Sequence, residues 1–388
     1  KFMNDWPNWL PLRQDLRELS AYGAPQISTE AVMNTNENPY APSSELAQAI
    51  SERISKVALT LNRYPDRDAT ILRTKLAHFI NNLSHTKFTQ ANVWAANGSN
   101  EIIQSLFLAF GSASALGFTP SYSMHPLIAK VTGVPWINGS RKVDFSLDVD
   151  SAINQIQREK PALTFITTPN NPTGSAVTYA ELELIAKATP GLLVIDEAYA
   201  EFSGEKSAVS LIEKYPHVVV IRTMSKAFAF AGARVGYLIA DPAVIQAMFL
   251  VRLPYHLSAL TQAAGEVALD YQRELLETVD TVRRNREEVA QALRSLGLSV
   301  VPSAANFLLF TGFQIPAAVL WQALLDRGVL IRDVGLLGYL RVTIGNDAEN
   351  KKFLRADPCN AFVAKEARER TKRFLAFSIG DFRNKEFF

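Results

Sequence analysis

The chain has 388 residues, 48% of them hydrophobic and 20% charged, enough for a large globular core plus a smaller domain. Lys and Arg number 40 against 38 Asp and Glu, and a net charge of +2 is too balanced to point to a nucleic-acid or membrane-surface partner. The single cysteine, Cys359, excludes an intrachain disulfide framework and a cysteine-based metal cluster, and it fits a reducing cytoplasm.

The opening stretch KFMNDWPNWLPLRQDL is mixed and interrupted by prolines, so no secretory leader is expected. Residues 1–44 read as an arm that belongs to a second domain or crosses between subunits. Residues 45–257 read as a large domain. In it the apolar runs Val93–Ala96, Ala115–Phe118, Ala162–Ile166, Leu192–Asp196, Val218–Arg222 and Gly236–Ala240 predict strands. Segments with helical spacing, such as Asn100–Phe110 and Thr178–Ala188, separate them. Uniformly apolar strands alternating with helices predict an α/β fold with a mostly parallel sheet covered on both faces. The apolar stretch Ser105–Phe118 is too short, and too broken by Gly and Ser, to span a bilayer. Residues 258–356 read as a smaller α/β domain. A long helix over Ser258–Leu296 leads into it, and the runs Asn306–Phe310, Gly328–Asp333 and Tyr339–Gly345 supply its strands. The tail 357–388 fits neither domain and is given no role.

In a parallel sheet, ligands bind beyond the carboxyl ends of the strands, and several strand ends here carry polar residues. AANGSNEII places Gly98, Ser99 and Asn100 at a strand-to-helix turn, whose free N–H groups suit a phosphate. Alone, that turn is equally an ordinary helix cap. Tyr122 follows the next strand, where a plain turn also explains it. TTPNNPTG holds an Asn amide in a rigid turn. Asp196 ends an apolar strand, where a carboxylate is costly to bury without a cationic partner.

The stretch VVVIRTMSKAFAFAGARVGYLIA binds these parts into one chemistry. Lys226 offers an amine that condenses with an aldehyde once its surroundings lower its pKa. Thr223 and Ser225 offer hydroxyls and Arg234 a cationic fork, together a nest for a phosphate dianion. A buried acid is what a protonated pyridine nitrogen requires. The set describes pyridoxal phosphate: aldehyde to Lys226, ring nitrogen to Asp196, phosphate to Ser99, Asn100, Ser225 and Arg234. No metal site is expected.

In this order NTNENPYAP, RYPDRDATILRTKLA, ANGSNEIIQ, PSYSMHP, TPNNPTG, DEAYAEF, RTMSKAFAFAGARVGYLIA and YLRVTIGNDAEN resemble the fold type I pyridoxal-phosphate aminotransferases, and among them the histidinol-phosphate aminotransferase family. The resemblance runs over about residues 10–355. It implies a seven-stranded sheet in the large domain, ping-pong transamination and a homodimer in the cytoplasm. It implies that Lys226 binds the cofactor aldehyde and carries the proton between Cα and C4′. Asn171 and Tyr199 then hydrogen-bond the ring oxygen, Tyr122 stacks on the ring, and Tyr64 reaches the phosphate of the neighbouring subunit. Arg341 takes the carboxylate of glutamate or the phosphate of histidinol phosphate, with Arg332 assisting and Tyr22 and Asn38 lining the pocket. Fold and cofactor leave open an aromatic amino-acid aminotransferase, a phosphothreonine-decarboxylase-like enzyme, or a non-catalytic cofactor-binding module.

Overall fold

A computed structural model of the chain describes residues 6–21 and 23–356. Tyr22 and the tail 357–388 lie outside the described residues. Among the described residues, the chain starts with β1 (Ala31–Val32), α1 (Ser44–Ala58) and α2 (Thr70–Ser84). Then come β2 (Val93–Asn97), α3 (Ser99–Phe110), β3 (Ala115–Thr119), α4 (Met124–Thr132), β4 (Trp136–Ser140) and α5 (Val149–Glu159). They are followed by β5 (Leu163–Thr167), α6 (Tyr179–Ala188), β6 (Leu192–Asp196), β7 (Val218–Thr223), β8 (Val235–Ile239), α7 (Pro242–Val251) and α8 (Ala259–Asp270). The remainder is α9 (Gln272–Ser295), β9 (Ser299–Val300), β10 (Phe307–Thr311), α10 (Ala317–Leu325), β11 (Val329–Leu330), β12 (Leu340–Thr343) and α11 (Asp347–Arg355).

Two compact units divide this chain. The larger comprises the described residues of 1–24, Tyr40–Asp280 and Ser303–Ala305. Its sheet has 7 strands in the order β2-β8-β7-β6-β5-β3-β4. All neighbouring pairs are parallel except those made by β8, which runs against both β7 and β2. Apart from the edge strand β4, the strands are buried over nearly their whole length, as a sheet covered on both faces demands. On one face Ile102, Leu106 and Phe107 of α3 and Ile245 and Met248 of α7 pack with Trp94, Phe165, Val194, Val219, Ile221 and Leu238 of the sheet. Each large apolar side chain buried there contributes about 1.5–3 kcal/mol. Helix starts follow their capping chemistry: Thr178 and Glu181 form a capping box on α6, and Ser258 caps α8.

The smaller unit comprises Pro25–Pro39, Thr281–Pro302 and the described residues from Asn306 onwards. It contains the antiparallel sheet β12-β10-β9 and the parallel pair β1-β11. The boundary between units falls at Asp280, inside α9, rather than at the sequence-based 257/258 division. The long helix expected over Ser258–Leu296 is two helices, interrupted at Tyr271.

Candidate active site

Because β2, β3, β5, β6 and β7 run in one direction, their carboxyl ends share one edge of the large unit's sheet. At or just after those ends stand Gly98 and Ser99, Tyr122, Asn171, Asp196, and Ser225 with Lys226. β8 is antiparallel, so Arg234, immediately before it, returns to that same edge.

The anion end is built around Gly98. This residue has φ +78° and caps α3, and a Cβ added to it would overlap Arg234 Nη2, so the guanidinium lies directly on the turn. Gly236 is constrained likewise, since a Cβ there would overlap the Gly98 and Ser99 backbone. Arg234 Nη1 donates to Ser225 Oγ at 3.5 Å, and Thr223 Oγ1 donates to Ser225 Oγ at 3.0 Å. Arg234 itself adopts the left-handed region at φ 57°, an unfavourable backbone for a side chain of this size and a feature that clusters at functional sites. A bare-backbone helix start, two hydroxyls and a fork form the cradle that a phosphate requires.

The acid end is Asp196, 2% exposed. Its Oδ2 lies 3.1 Å from His125 Nε2, and its Oδ1 accepts from the Ala198 N–H at 3.2 Å. His125 is buried against Phe165, with ring centroids 4.7 Å apart, and meets the Tyr122 ring edge-on at 5.3 Å. Sequence reasoning missed His125. The available signal was its place one helical turn after Tyr122, at the start of α4.

Between these ends, the adjacent asparagines separate into two jobs. Asn170 is fully buried, accepting from Ser121 Oγ at 2.9 Å and donating to Pro120 O at 3.0 Å and Thr173 Oγ1 at 2.7 Å. It holds the turn. Asn171 instead donates to Tyr199 Oη at 3.4 Å, so the two residues expected to act together are within reach of each other. Tyr122 Oη donates to Asn100 Oδ1 at 3.1 Å, which ties that asparagine to the tyrosine of the next strand end. Arg141 fastens the edge from below, donating to Phe118 O and Phe145 O at 3.3 Å and to Thr167 O at 3.4 Å. Burial pushes its guanidinium pKa down to about 10. Lys226 is half-buried on the turn after β7, where the Ala229 N–H donates to its carbonyl at 3.3 Å. Tyr64 stands apart, 80% exposed and stacked on Tyr255 with centroids 4.3 Å apart.

The remaining expected residues, apart from Tyr22, lie in the smaller unit. Arg341 is buried in β12, donates from Nη2 to Asn34 O at 2.8 Å, and sits 5.1 Å from the Phe307 ring centroid. Arg332 faces it across an antiparallel bridge, with both backbone bonds at 2.9 Å. Asn38 is half-buried on the segment that lies along β12 through Met33 and Asn36. Tyr22, also expected at the pocket, lies outside the described residues. Among the described residues, no group of His, Cys, Asp and Glu is arranged to hold a metal.

The large unit's residues fit pyridoxal phosphate. Gly98, Ser225 and Arg234 form an anion cradle, and Asp196 is a buried acid with acceptor capacity to spare. Residues 30–356 match the family model described as aminotransferase class I and II. The chain is 52% identical over 351 residues to the histidinol-phosphate aminotransferase of Mycobacterium marinum, covering 89% of this chain and 91% of that protein. It is 54% identical over 350 residues to the enzyme of the same name from Nocardia farcinica, covering 89% and 90%. Among solved structures, the histidinol-phosphate aminotransferase of Clostridium acetobutylicum superposes with a TM-score of 0.75 at 26% identity, covering 84% of this chain and 98% of that one. The Sinorhizobium meliloti structure of that name, in complex with pyridoxal-5'-phosphate, shares the fold with a TM-score of 0.78 at 24% identity, covering 92% and 98%. The chain belongs to the histidinol-phosphate aminotransferase family of the class I and II aminotransferases.

Proposed function

We propose that the protein catalyses ping-pong transfer of an amino group between L-histidinol phosphate and 2-oxoglutarate in histidine biosynthesis, giving imidazole acetol phosphate and glutamate, with pyridoxal 5'-phosphate as cofactor. The observation that carries this reading is the gathering of Asp196, the Asn171–Tyr199 pair and the Gly98–Arg234–Ser225 cradle at the strand edge that bears Lys226. The 52% and 54% identity with relatives of that name supports the substrate.

When bound, the cofactor supplies an aldehyde that condenses with amines and a ring that delocalises negative charge from Cα. Lys226 would hold that aldehyde and carry the proton between Cα and C4′. Asp196 keeps the ring nitrogen protonated, and His125 fixes the carboxylate's orientation. Asn171 and Tyr199 bind the ring oxygen, and Tyr122 covers the ring. Ser99, Asn100, Thr223, Ser225 and Arg234 take the phosphate. Arg341, with Arg332 and Asn38, binds the substrate's anionic group. Two arginines paired across a bridge suit an anionic substrate group such as a phosphate ester.

In this reading the protein is a cytoplasmic homodimer with Tyr64 reaching the neighbouring subunit's phosphate. Arg252 Nη1 donates to Arg67 O at 3.0 Å, linking the segment of exposed Leu250, Leu253 and Tyr255 to the one bearing Tyr64. An apolar surface of this kind fits a second copy. The test is turnover of histidinol phosphate and phenylalanine with 2-oxoglutarate by cofactor-loaded enzyme. A kcat/KM at least about tenfold higher for the phosphate ester is expected, about 1.4 kcal/mol of discrimination. Equal or reversed preference rejects the substrate assignment, and no transfer from either rejects the reaction.

A further inference from the structure

A second group of charges lies behind the candidate site. Asp196 pairs in register with Ile221 and Arg222 with Tyr237. Side chains alternate along a strand, so Asp196 and Thr223 share one face while Glu197, Arg222 and Tyr237 share the other. On that far face Arg222 Nε donates to Glu197 Oε2 at 3.0 Å and Nη2 lies 2.8 Å from the same oxygen. Nη1 donates to Glu201 Oε1 at 2.8 Å. Glu197 also accepts from Ser207 Oγ at 2.8 Å and from the Ala208 N–H at 2.7 Å. The side chains of Arg222, Glu197 and Glu201 are no more than 5% exposed.

One guanidinium therefore grips the chain on both sides of Tyr199, immediately after Asp196. Stability alone does not call for such a cluster, because well-packed apolar side chains commonly replace a buried ionic triad without loss. We propose that Arg222 is a positioning residue: its fork locks the turn after β6 to β7, so that Asp196 and Tyr199 stay aligned with Lys226, which leaves β7 on the next turn. The inference rests on the cofactor reading above. Lysine cannot reproduce the fork, since it offers a single ammonium to two carboxylates.

Holoenzyme carrying Arg222→Lys, Glu201→Ala or Glu201→Gln is compared with wild type by melting temperature, steady-state kinetics and pH titration of the bound cofactor's absorbance. For Arg222→Lys and Glu201→Ala, kcat falls about tenfold or more while KM for the amino donor changes less than about threefold. The midpoint of the absorbance titration moves by about half a pH unit or more in both, because Asp196 and Tyr199 shift against the cofactor. Glu201→Gln keeps the wild-type kcat and midpoint, since its amide oxygen still accepts from Nη1. A lower melting temperature with unchanged kcat and midpoint overturns the proposal and leaves a purely structural cluster. If Arg222→Lys does not fold, Glu201→Ala alone decides by the same criteria. A wild-type protein without lysine-bound cofactor absorbance overturns the cofactor reading, and this proposal with it.

Discussion

Asp196 and Glu197 are neighbours in the chain and almost equally buried, at 2% and 3% exposure, yet they are held in opposite ways. Glu197 receives bonds from two nitrogens of Arg222, from the Ser207 hydroxyl and from the Ala208 N–H. Asp196 meets the His125 ring nitrogen and one backbone N–H. A carboxylate has about four acceptor positions. The saturated one belongs to the fold, and the one with capacity left faces the strand edge where the other site residues gather. Sequence position cannot make this distinction. Counting donors can.

Substitutions on the two faces test that contrast. The largest effect is expected from Lys226→Ala, which removes the amine proposed both to anchor the aldehyde and to carry the proton. Turnover falls by on the order of 10⁴-fold or more, while the protein still takes up cofactor through the phosphate cradle; borohydride reduction then leaves no label. Asp196→Asn keeps the shape but loses the charge, and single-turnover kinetics are expected to slow by about 10²–10³-fold with little change in melting temperature. Arg341→Ala, in the smaller unit, removes charge-assisted bonds worth about 1.5–3 kcal/mol, so kcat/KM drops by about 10–100-fold with cofactor affinity retained. Glu197→Gln turns one of two donor-filled oxygens into an amide N–H that faces donors, and denaturant unfolding is expected to show a loss of roughly 3–5 kcal/mol. If instead Asp196→Asn were the unstable variant and Glu197→Gln the stable, inactive one, the comparison would be reversed.

The smallest effect concerns pH. Burial pushes the Glu201 carboxyl above the ordinary glutamate range, against the pull of Arg222. A raised folded-state pKa stabilises most below the unfolded value, and this contribution is lost as pH rises through the folded one. Wild-type stability relative to Glu201→Gln therefore declines with rising pH above the ordinary glutamate range. Denaturant midpoints measured at several pH values check this, and a constant difference contradicts it.

The sequence was most informative where chemistry sits at strand ends. Asp196 stands out because an apolar run stops on a charge, Lys226 because it follows another such run among hydroxyls, and the α/β alternation is legible from the same runs. β4 escaped notice because WINGS has few apolar residues and is half-exposed at the edge of the sheet. The division at Asp280 is hidden for a different reason: a continuous helix crosses it, and periodicity does not register a change of packing partner. His125 and the Arg222 cluster depend on which face a residue occupies and what lies across from it. That information resides in strand register, which only the fold supplies. Asn170 and Asn171 look interchangeable on paper, and only their partners separate a brace from a site residue.

The close seating of Arg234 on Gly98 links two positions far apart in the chain. A larger residue at 98 must shift the guanidinium and take up a strained left-handed backbone, and a replacement at 234 must tolerate the same backbone while leaving that space unfilled. Neither place can drift alone without emptying the other. A variant library that randomises them one at a time will return almost only the parent pair, whereas joint randomisation reveals whether a different couple can occupy the corner.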